Sequence, residues 1–483
     1  MRKIKNLVYE WIITHSYLKK PFIFLLTIYI TAFIAIFRSN FNYLDDLGRK
    51  HSGYHGWLDW SRWFTQAFSN IIHADWYLTD ISPLPQLLAC LLISVGGIFL
   101  LDIFRNGKSI DLWNVIAVSF VGLTPYFLGM ISYKYDSPYM AFSFFVSIVP
   151  FLFYKKNEIA YMSISFICLI LMCTSYQASS GIYPLLAFFL AMNDINAGRK
   201  MREIIRFILA SAACYILALG SYWILLMRPN GTAVFSINSF VPSVFQKYIM
   251  FYTILYSDFK LIWKILVLLL LIVFIYSFTA NSRKNKLAAF ALSIIVLLVS
   301  SVLCFGIYLV IDQEKYDPRA MYGFGVFLAI LAISISFSKI TWWIKIVYVA
   351  LFWCFFTFSF TYGNALSTQQ GYLDYRIQLV AGDLNSMEIM NTKDIKEIQI
   401  KGDIGLSPVI ENMSSGYHML ERLIPTEFCE GYWGEYYFLN YFNIPNVVPG
   451  DDEDDDFKEL PLLKETMYHN IYGDKSKILI ELK

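Results

Sequence analysis

Charged residues are scarce in this sequence, and that scarcity decides its class. Only 16% of its 483 residues are Asp, Glu, Lys or Arg, whereas 57% are hydrophobic. Such a composition excludes an ordinary soluble protein and indicates a polytopic membrane protein. The net charge of +2 provides no broad basic surface, so a nucleic-acid partner is not expected.

Cysteine pairs and metal-ligand spacings are also missing. All cysteines except Cys429 lie in hydrophobic segments, where cysteine usually acts as a small apolar residue. No spacing indicates a disulfide framework or a metal site, so neither is predicted. No small-residue cleavage site follows the basic N-terminus, and the first apolar run is therefore interpreted as an uncleaved span.

Long apolar runs dominate what the sequence does contain. A run must cover about 30 Å of hydrocarbon to cross a bilayer, and about eleven runs are candidates. They lie at residues 21–37, 83–104, 112–131, 139–154, 159–175, 182–192, 205–227, 261–280, 287–311, 323–337 and 342–362. The short loops on one side collect basic residues, among them Lys19, Arg105 and Arg283, which predicts that this side and the N-terminus are cytoplasmic.

The composition changes after Tyr362. Residues 1–362 are predicted to form the membrane domain, and an odd number of spans places residues 363–483 on the outer side. Residues 395–400 and 477–482 alternate or cluster like short strands. The predicted fold is therefore an α-helical polytopic membrane protein with a small outer α/β domain at its C-terminus.

The first outer loop, residues 38–82, holds the main candidates for chemistry. Its segment Asn42-Tyr43-Leu44-Asp45-Asp46-Leu47-Gly48-Arg49 places two carboxylates and an arginine beside the end of the first span. Ionisable groups at the bilayer mark functional sites, and a carboxylate there can act as general base on a sugar hydroxyl. Adjacent residues on a helix point about 100° apart, so the two carboxylates should differ in role. The alternative is a solvated loop pair or a helix N-cap.

Arginines near the outer ends of other spans are candidates for holding a phosphate. An arginine can bind a phosphate through two parallel hydrogen bonds, as the head group of a lipid phosphate requires. The predicted phosphate ligands are Arg49, Arg62, Arg228 and Arg319. Arg319 is preferred, and the alternatives for it are snorkelling at the interface or a local pair with Asp317.

Polar residues in the remaining outer loops are candidates for substrate binding. These candidates are Tyr133, Lys134, Asp136, Gln177, Tyr316 and Asp317. Lys134 and Asp136 could instead pair with each other, and Gln177 could make a structural hydrogen bond. Three tryptophans of the first outer loop are interpreted as interfacial anchors, namely Trp57, Trp60 and Trp63.

This layout resembles the C-type (GT-C) membrane glycosyltransferases, which combine many spans with an acidic pair in the first outer loop. More narrowly, the segment from Asn42 to Arg49, followed by Gly53 to Trp57 and Ser61-Arg62, resembles the Gtr-type glucosyltransferases. Members of that family modify O-antigen or related surface polysaccharide in bacteria and often change the serotype. The likeness lies in the first 100 residues and in the overall layout, and the C-terminal domain adds little to it.

The resemblance implies an enzyme of the bacterial inner membrane whose C-terminal domain is periplasmic. Its donor would be undecaprenyl-phosphate-glucose, and its acceptor would be a hydroxyl of O-antigen or another surface polysaccharide. Asp45 or Asp46 would be the catalytic base of an inverting transfer. No certain cofactor is implied. Some C-type enzymes need a divalent cation and many do not, so dependence on one is left open.

Two other functions remain as alternatives. An O-antigen polymerase or ligase relies on arginines and a histidine in a large outer loop nearer the C-terminal half, whereas this chain places its carboxylates in the first loop. A flippase for lipid-linked sugars would place charges inside spans or break helices in pairs. The apolar runs here are almost free of charge, which favours glycosyl transfer.

Overall fold

The computed structural model describes residues 15–228, 233–234, 240–312, 317–387, 394–431, 434, 446–450, 457 and 460–483. Its α-helices are α1 (Lys19–Ser39), α2 (Asp46–Ser52), α3 (Trp63–His73), α4 (Leu84–Phe104), α5 (Leu112–Val118), α6 (Phe120–Leu123), α7 (Pro125–Ser132), α8 (Ser137–Ile148), α9 (Glu158–Cys173), α10 (Ile182–Asn196), α11 (Met201–Ser221), α12 (Phe240–Asp258), α13 (Leu261–Ala280), α14 (Lys286–Leu303), α15 (Gly323–Ser336), α16 (Ile346–Asn385), α17 (Pro408–Ser414) and α18 (Met419–Leu423). Its strands are β1 (Ala233–Val234), β2 (Ile311–Asp312), β3 (Lys396–Lys401), β4 (Val447–Pro449), β5 (Leu462–Glu465), β6 (His469–Gly473) and β7 (Lys477–Leu482).

Seven helical segments of the described residues are long and apolar enough to cross a membrane. They are Ser16–Ser39, Leu84–Phe104, Met201–Leu226, Leu261–Ala280, Lys286–Leu303, Pro318–Ser336 and Trp342–Asn385. An eighth is counted if Leu112–Leu123 and Pro125–Ser132, which meet at 61°, form one bent span. The bend lies at Thr124, whose backbone is extended because the following proline disfavours the helical conformation. The protein is thus a polytopic membrane protein.

The count of eleven spans is not confirmed. The three other predicted runs do form helices, but α8 has 12 residues, α9 has 16 and α10 has 15. A straight helix needs about 20 residues to cross the hydrocarbon. These three helices are therefore short for spans, and eleven stays a prediction.

The loops predicted to share the cytoplasmic side contact one another. The Lys108 ammonium group donates to the carbonyl oxygen of Phe337 at the end of α15. The backbone N–H of Arg283 donates to the carbonyl oxygen of Asn196, 3.1 Å away, at the end of α10. Each of these two contacts therefore brings together a pair of the loops that are predicted to be cytoplasmic.

The first and last long helices, α1 and α16, pack closely together. A Cβ atom on Gly363 of α16 would come within 2.5 Å of the backbone of Ala35 in α1. Small residues permit this close approach between helices in membranes. The contact brings the first outer loop, which follows α1, beside the C-terminal region, which follows α16.

The helix α16 is 40 residues long and continues past residue 362, the predicted end of the membrane domain. Its last turns pack on a five-stranded sheet with strand order β4-β3-β7-β6-β5. The strand β3 pairs in parallel with β4 and β7, and the remaining neighbours are antiparallel. Leu373 and Ile377 of α16 form an apolar cluster with Ile398 and Ile480 of the sheet. The two predicted strands correspond to β3 and β7.

Candidate functional site

Asp46 links the first outer loop to the second. It is fully buried at the start of α2. Its carboxylate accepts backbone N–H donors from Tyr43 at 3.1 Å, Lys134 at 2.9 Å and Tyr135 at 3.4 Å. Burial raises the pKa of Asp46 to about 7, although the Lys134 hydrogen bond opposes that shift. These contacts give Asp46 a structural role that holds the two loops together.

Asp45 lies next to Asp46 but faces outward. Its side chain is 40% exposed, and its nearest cation is the Arg49 guanidinium, with 3.7 Å between Nη1 and Oδ2. Asp45 occupies the N-cap position of α2, as the alternative expected, but its side chain makes no capping hydrogen bond. Of the two predicted catalytic residues, Asp45 has the carboxylate that is open to a substrate.

Arg49 is held by Asp136 rather than exposed for a ligand. Both side chains are buried, and Arg49 Nη1 donates to Asp136 Oδ2 at 2.5 Å. The indole N–H of Trp57 donates to the other carboxylate oxygen of Asp136, and the guanidinium lies 4.7 Å from the centre of the Trp57 ring. The interpretation of Trp57 as an interfacial anchor is wrong because this side chain is fully buried.

Lys134 does not pair with Asp136, so that expected alternative is wrong. Its ammonium donates to the carbonyl oxygen of Asn40 and to Asn42 Oδ1, each at 2.8 Å. Asp80 lies 3.7 Å away. Burial lowers the pKa of Lys134, and the charge of Asp80 opposes that shift. Lys134 thus fastens the end of α1 to the second outer loop.

Arg319 lies beside the turn that carries Asp45. Its side chain is 21% exposed and pairs with the open carboxylate of Asp317 at 3.1 Å. The guanidinium lies 4.6 Å from the centre of the Tyr133 ring, and Tyr133 packs edge-on against Tyr43 at 4.9 Å. Arg319 and Asp45 are close enough to interact electrostatically. An arginine, a tyrosine and a partly exposed carboxylate therefore share one part of the surface.

Arg62, like Arg319, lies within electrostatic range of Tyr176. Its Nε donates to Gln177 Oε1 at 3.4 Å, and its guanidinium lies 5.1 Å from the centre of the Tyr176 ring. Tyr308 is within electrostatic range of both Arg62 and Arg319. The two half-buried guanidinium groups therefore lie near the same tyrosine, Tyr308.

Two further candidates make mainly structural contacts. The Gln177 amide donates to the carbonyl oxygen of Trp60 at 3.0 Å and to the Tyr222 hydroxyl at 2.9 Å. Arg228 is exposed, and its guanidinium lies 4.4 Å from the centre of the Trp63 ring. The predicted substrate residue Tyr316 lies outside the described residues.

Several residues of this site were not predicted from the sequence. Tyr308 precedes Arg319 by a short distance in the chain, and Glu427, which contacts the turn of Asp45, lies in the C-terminal region. Neither carries a local motif. Within the described residues, no group of three or more His, Cys, Asp or Glu side chains is placed to hold a metal ion.

The fold defines a polytopic membrane protein with a cluster of charged and aromatic side chains around its first outer loop, and the comparison with known proteins identifies its family. The chain belongs to the family described as Glucosyl transferase GtrII, whose profile matches residues 34–333. This confirms the predicted Gtr-type membership and supports glucosyltransferase activity in O-antigen modification. The matched range includes Asp45, Asp46 and Arg319, but it ends before the C-terminal region.

A protein of Salmonella phage P22 is similar to this chain. It is described as an uncharacterized 55.3 kDa protein in the gtrB 5′ region, and it is 25% identical over 403 residues. The alignment covers 79% of this chain and 82% of the phage protein. No solved structure matches the chain.

Proposed function

We propose that the protein transfers glucose from undecaprenyl-phosphate-glucose to a hydroxyl of O-antigen, and that this modification converts the serotype. The transfer inverts the anomeric carbon, so a β-linked donor yields an α-linked product. The acceptor is a surface glycan still attached to its lipid. The family supports glucosyl transfer in O-antigen modification, and the lipid-phosphate donor is part of the proposal.

Asp45 is the proposed catalytic base. Its carboxylate takes the proton from the acceptor hydroxyl, whose oxygen attacks the anomeric carbon and forms the new glycosidic bond. The bond between the anomeric carbon and the phosphate oxygen breaks, and its electron pair leaves with undecaprenyl phosphate. The leaving group is already an anion, so stabilising its charge matters more than protonating it.

The observation that carries this assignment is the contrast between the two carboxylates. Asp46 is fully buried, and its carboxylate oxygens accept hydrogen bonds from three backbone N–H groups. The Asp45 side chain, in contrast, is 40% exposed. Only an exposed carboxylate can reach a sugar hydroxyl. Arg319, together with Arg62, is the proposed ligand of the departing phosphate.

The test measures glucose transfer from undecaprenyl-phosphate-glucose by membranes that carry wild type, Asp45→Asn or Asp46→Asn at matched expression. We expect Asp45→Asn to lose on the order of 100-fold or more, because general base catalysis contributes about that much. Asp46→Asn should retain measurable transfer per folded molecule. Normal transfer by Asp45→Asn would show that the base lies elsewhere.

The same assay separates the enzyme from the alternative of a flippase. Purified protein in detergent has no membrane across which to move a lipid-linked sugar. We expect it to turn over the donor when an acceptor is present. No turnover in detergent, together with lipid translocation in vesicles, would favour the flippase.

We further propose that the site faces the periplasm and that the basic loops face the cytoplasm of the inner membrane. Basic residues in short loops support this orientation. Alkaline phosphatase is active only in the periplasm, so a fusion to Lys483 should be active and a fusion after Lys156 inactive. The reverse pattern would overturn the orientation.

A further inference from the structure

The C-terminal region contacts the turn that carries Asp45. The hydroxyl of Tyr43 donates to the carbonyl oxygen of Leu423, 2.8 Å away. The backbone N–H of Leu44 donates to Oε1 of Glu427, also at 2.8 Å. Both acceptors lie beyond residue 333, where the match to the family ends.

The helix that follows Asp45 is anchored to the same region. Leu47 of α2 is 2% exposed and belongs to the apolar cluster that contains Phe428 and Leu373. The two residues before Asp45 make the hydrogen bonds, and Leu47, two residues after it, makes the apolar contact. The C-terminal region therefore holds the chain on both sides of Asp45.

The backbone of Leu44 needs such support. Its φ angle is +50°, a left-handed conformation that is unfavourable for a residue with a Cβ atom. Glu427 is only 2% exposed, so its carboxylate is directed into the protein rather than into solvent. A hydrogen bond from a backbone N–H to a carboxylate is stronger than one to a neutral acceptor. The contact can therefore offset the unfavourable conformation.

We infer that Glu427 is a positioning residue for glycosyl transfer. It holds Leu44 in its left-handed conformation, and that conformation sets the direction in which the next residue, Asp45, presents its carboxylate. The inference rests on the proposed role of Asp45 as base. The C-terminal region then contributes to the chemical step, because its residue Glu427 orients the Asp45 carboxylate that removes the proton.

The experiment compares Glu427→Ala and Glu427→Gln with wild type in the transfer assay. We expect Glu427→Ala to lower kcat by about 10- to 100-fold while the KM for the donor stays unchanged, because a small displacement of a catalytic group costs rate. Glu427→Gln should recover most of kcat, since its amide oxygen still accepts the Leu44 N–H. The matched control is Glu421→Ala, which removes an exposed carboxylate of α18 and should leave kcat unchanged.

Three results would overturn the inference. They are a normal kcat in Glu427→Ala, an equal loss in Glu427→Ala and Glu427→Gln, and a raised donor KM with unchanged kcat. If Glu427→Ala does not accumulate in membranes, Glu427→Asp replaces it. Its carboxylate is one methylene shorter and should lose the contact, so its kcat should fall while that of Glu427→Gln does not.

A parallel measurement of Asp45→Asn separates this inference from the proposed function. Full transfer by Asp45→Asn would refute Asp45 as the base, whatever Glu427 does. An inactive Asp45→Asn beside a fully active Glu427→Ala would refute the positioning role alone.

Discussion

Asp45 and Asp46 are neighbours in the chain, yet their carboxylates have different surroundings. Asp46 points inward, where three backbone N–H groups satisfy it, and Asp45 remains 40% exposed. One step along a helix turns a side chain by about 100°, which is enough to separate a buried structural carboxylate from an open one. The arginines divide in the same way, since Arg49 is enclosed by Asp136 whereas Arg319 is partly exposed.

Asp46→Asn should reduce the pH dependence of stability. The pKa of Asp46 is raised from 3.8 to about 7 in the folded protein, so the folded state binds the extra proton between these pH values. Its contribution to stability is complete below pH 4 and is lost as the pH rises towards 7. Melting temperatures in detergent at several pH values should show a shallower decline for Asp46→Asn. A difference from wild type that is constant with pH would contradict the raised pKa.

Arg319→Ala should weaken use of the lipid-phosphate donor. Charge-assisted hydrogen bonds contribute about 1.5–3 kcal/mol, which corresponds to roughly a 10- to 100-fold loss in kcat/KM for the donor. Arg319→Lys should recover part of this loss because it keeps the charge but not the planar fork. The control is Arg202→Ala, which removes an exposed arginine from the first turn of α11. If Arg319→Ala has normal donor kinetics, Arg319 is not a phosphate ligand.

Two short 3₁₀ turns between helices position one side of the site. The turn Gln177–Gly181 carries Gln177 beside Arg62, and the turn Gly306–Leu309 carries Tyr308. They meet at Gly181, where a Cβ atom would lie 2.8 Å from the backbone nitrogen of Gly306 and 2.4 Å from the carbonyl oxygen of Leu303 at the end of α14. A Cβ atom on Gly306 would likewise lie 2.4 Å from the backbone nitrogen of Gly181, so the relative placement of the two turns depends on two residues without side chains.

Gly181→Ala should destabilise the protein and reduce transfer. Overpacking costs about 1–3 kcal/mol, and here the added methyl group would meet backbone atoms that have little freedom to move. Thermal unfolding in detergent should show a lower melting temperature, with transfer reduced at permissive temperature. Gly220→Ala is the matched control, because a Cβ atom there has no neighbour within 4 Å. Equal behaviour of the two variants would contradict the tight contact.

At the scale of the whole molecule, α16 joins the membrane helices to the C-terminal sheet. Arg376 of this helix is 2% exposed. Its guanidinium donates to the Tyr372 hydroxyl at 2.6 Å and to the carbonyl oxygens of Tyr468 and Lys483, each at 2.7 Å. The last residue of the chain is thus tied to the helix whose first half packs on α1.

Arg376→Ala should loosen the C-terminal sheet while the membrane helices remain folded. Loss of these buried hydrogen bonds should cost roughly 2–4 kcal/mol. Limited proteolysis should cleave the variant faster after residue 385, and transfer should fall because Glu427 belongs to the same region. Lys475→Ala, which removes an exposed lysine from the turn between β6 and β7, is the control. Cleavage at the wild-type rate would show that Arg376 does not hold the sheet.

The interactions within the outer loops were the least predictable part of the site. A pair between Lys134 and Asp136 is natural for two residues separated by one position, but Asp136 binds Arg49, which lies 87 positions earlier in the chain. Trp57 has the amphipathic character of an interfacial residue, but it is buried against Asp136 and Arg49. Local spacing describes only neighbours in the chain, whereas these partners are brought together by the packing of separate helices.

The sequence by itself determined the membrane class, a helix in each long apolar run, the first outer loop as the candidate site and the family. These are local properties, because the transfer of an apolar run into hydrocarbon depends on its own composition and length. Only the tertiary structure decided which aspartate is open, which arginines are enclosed, and that Glu427 contacts the turn of Asp45 from 383 positions away. Such contacts depend on the packing of α1 against α16, and no pattern within either segment encodes it.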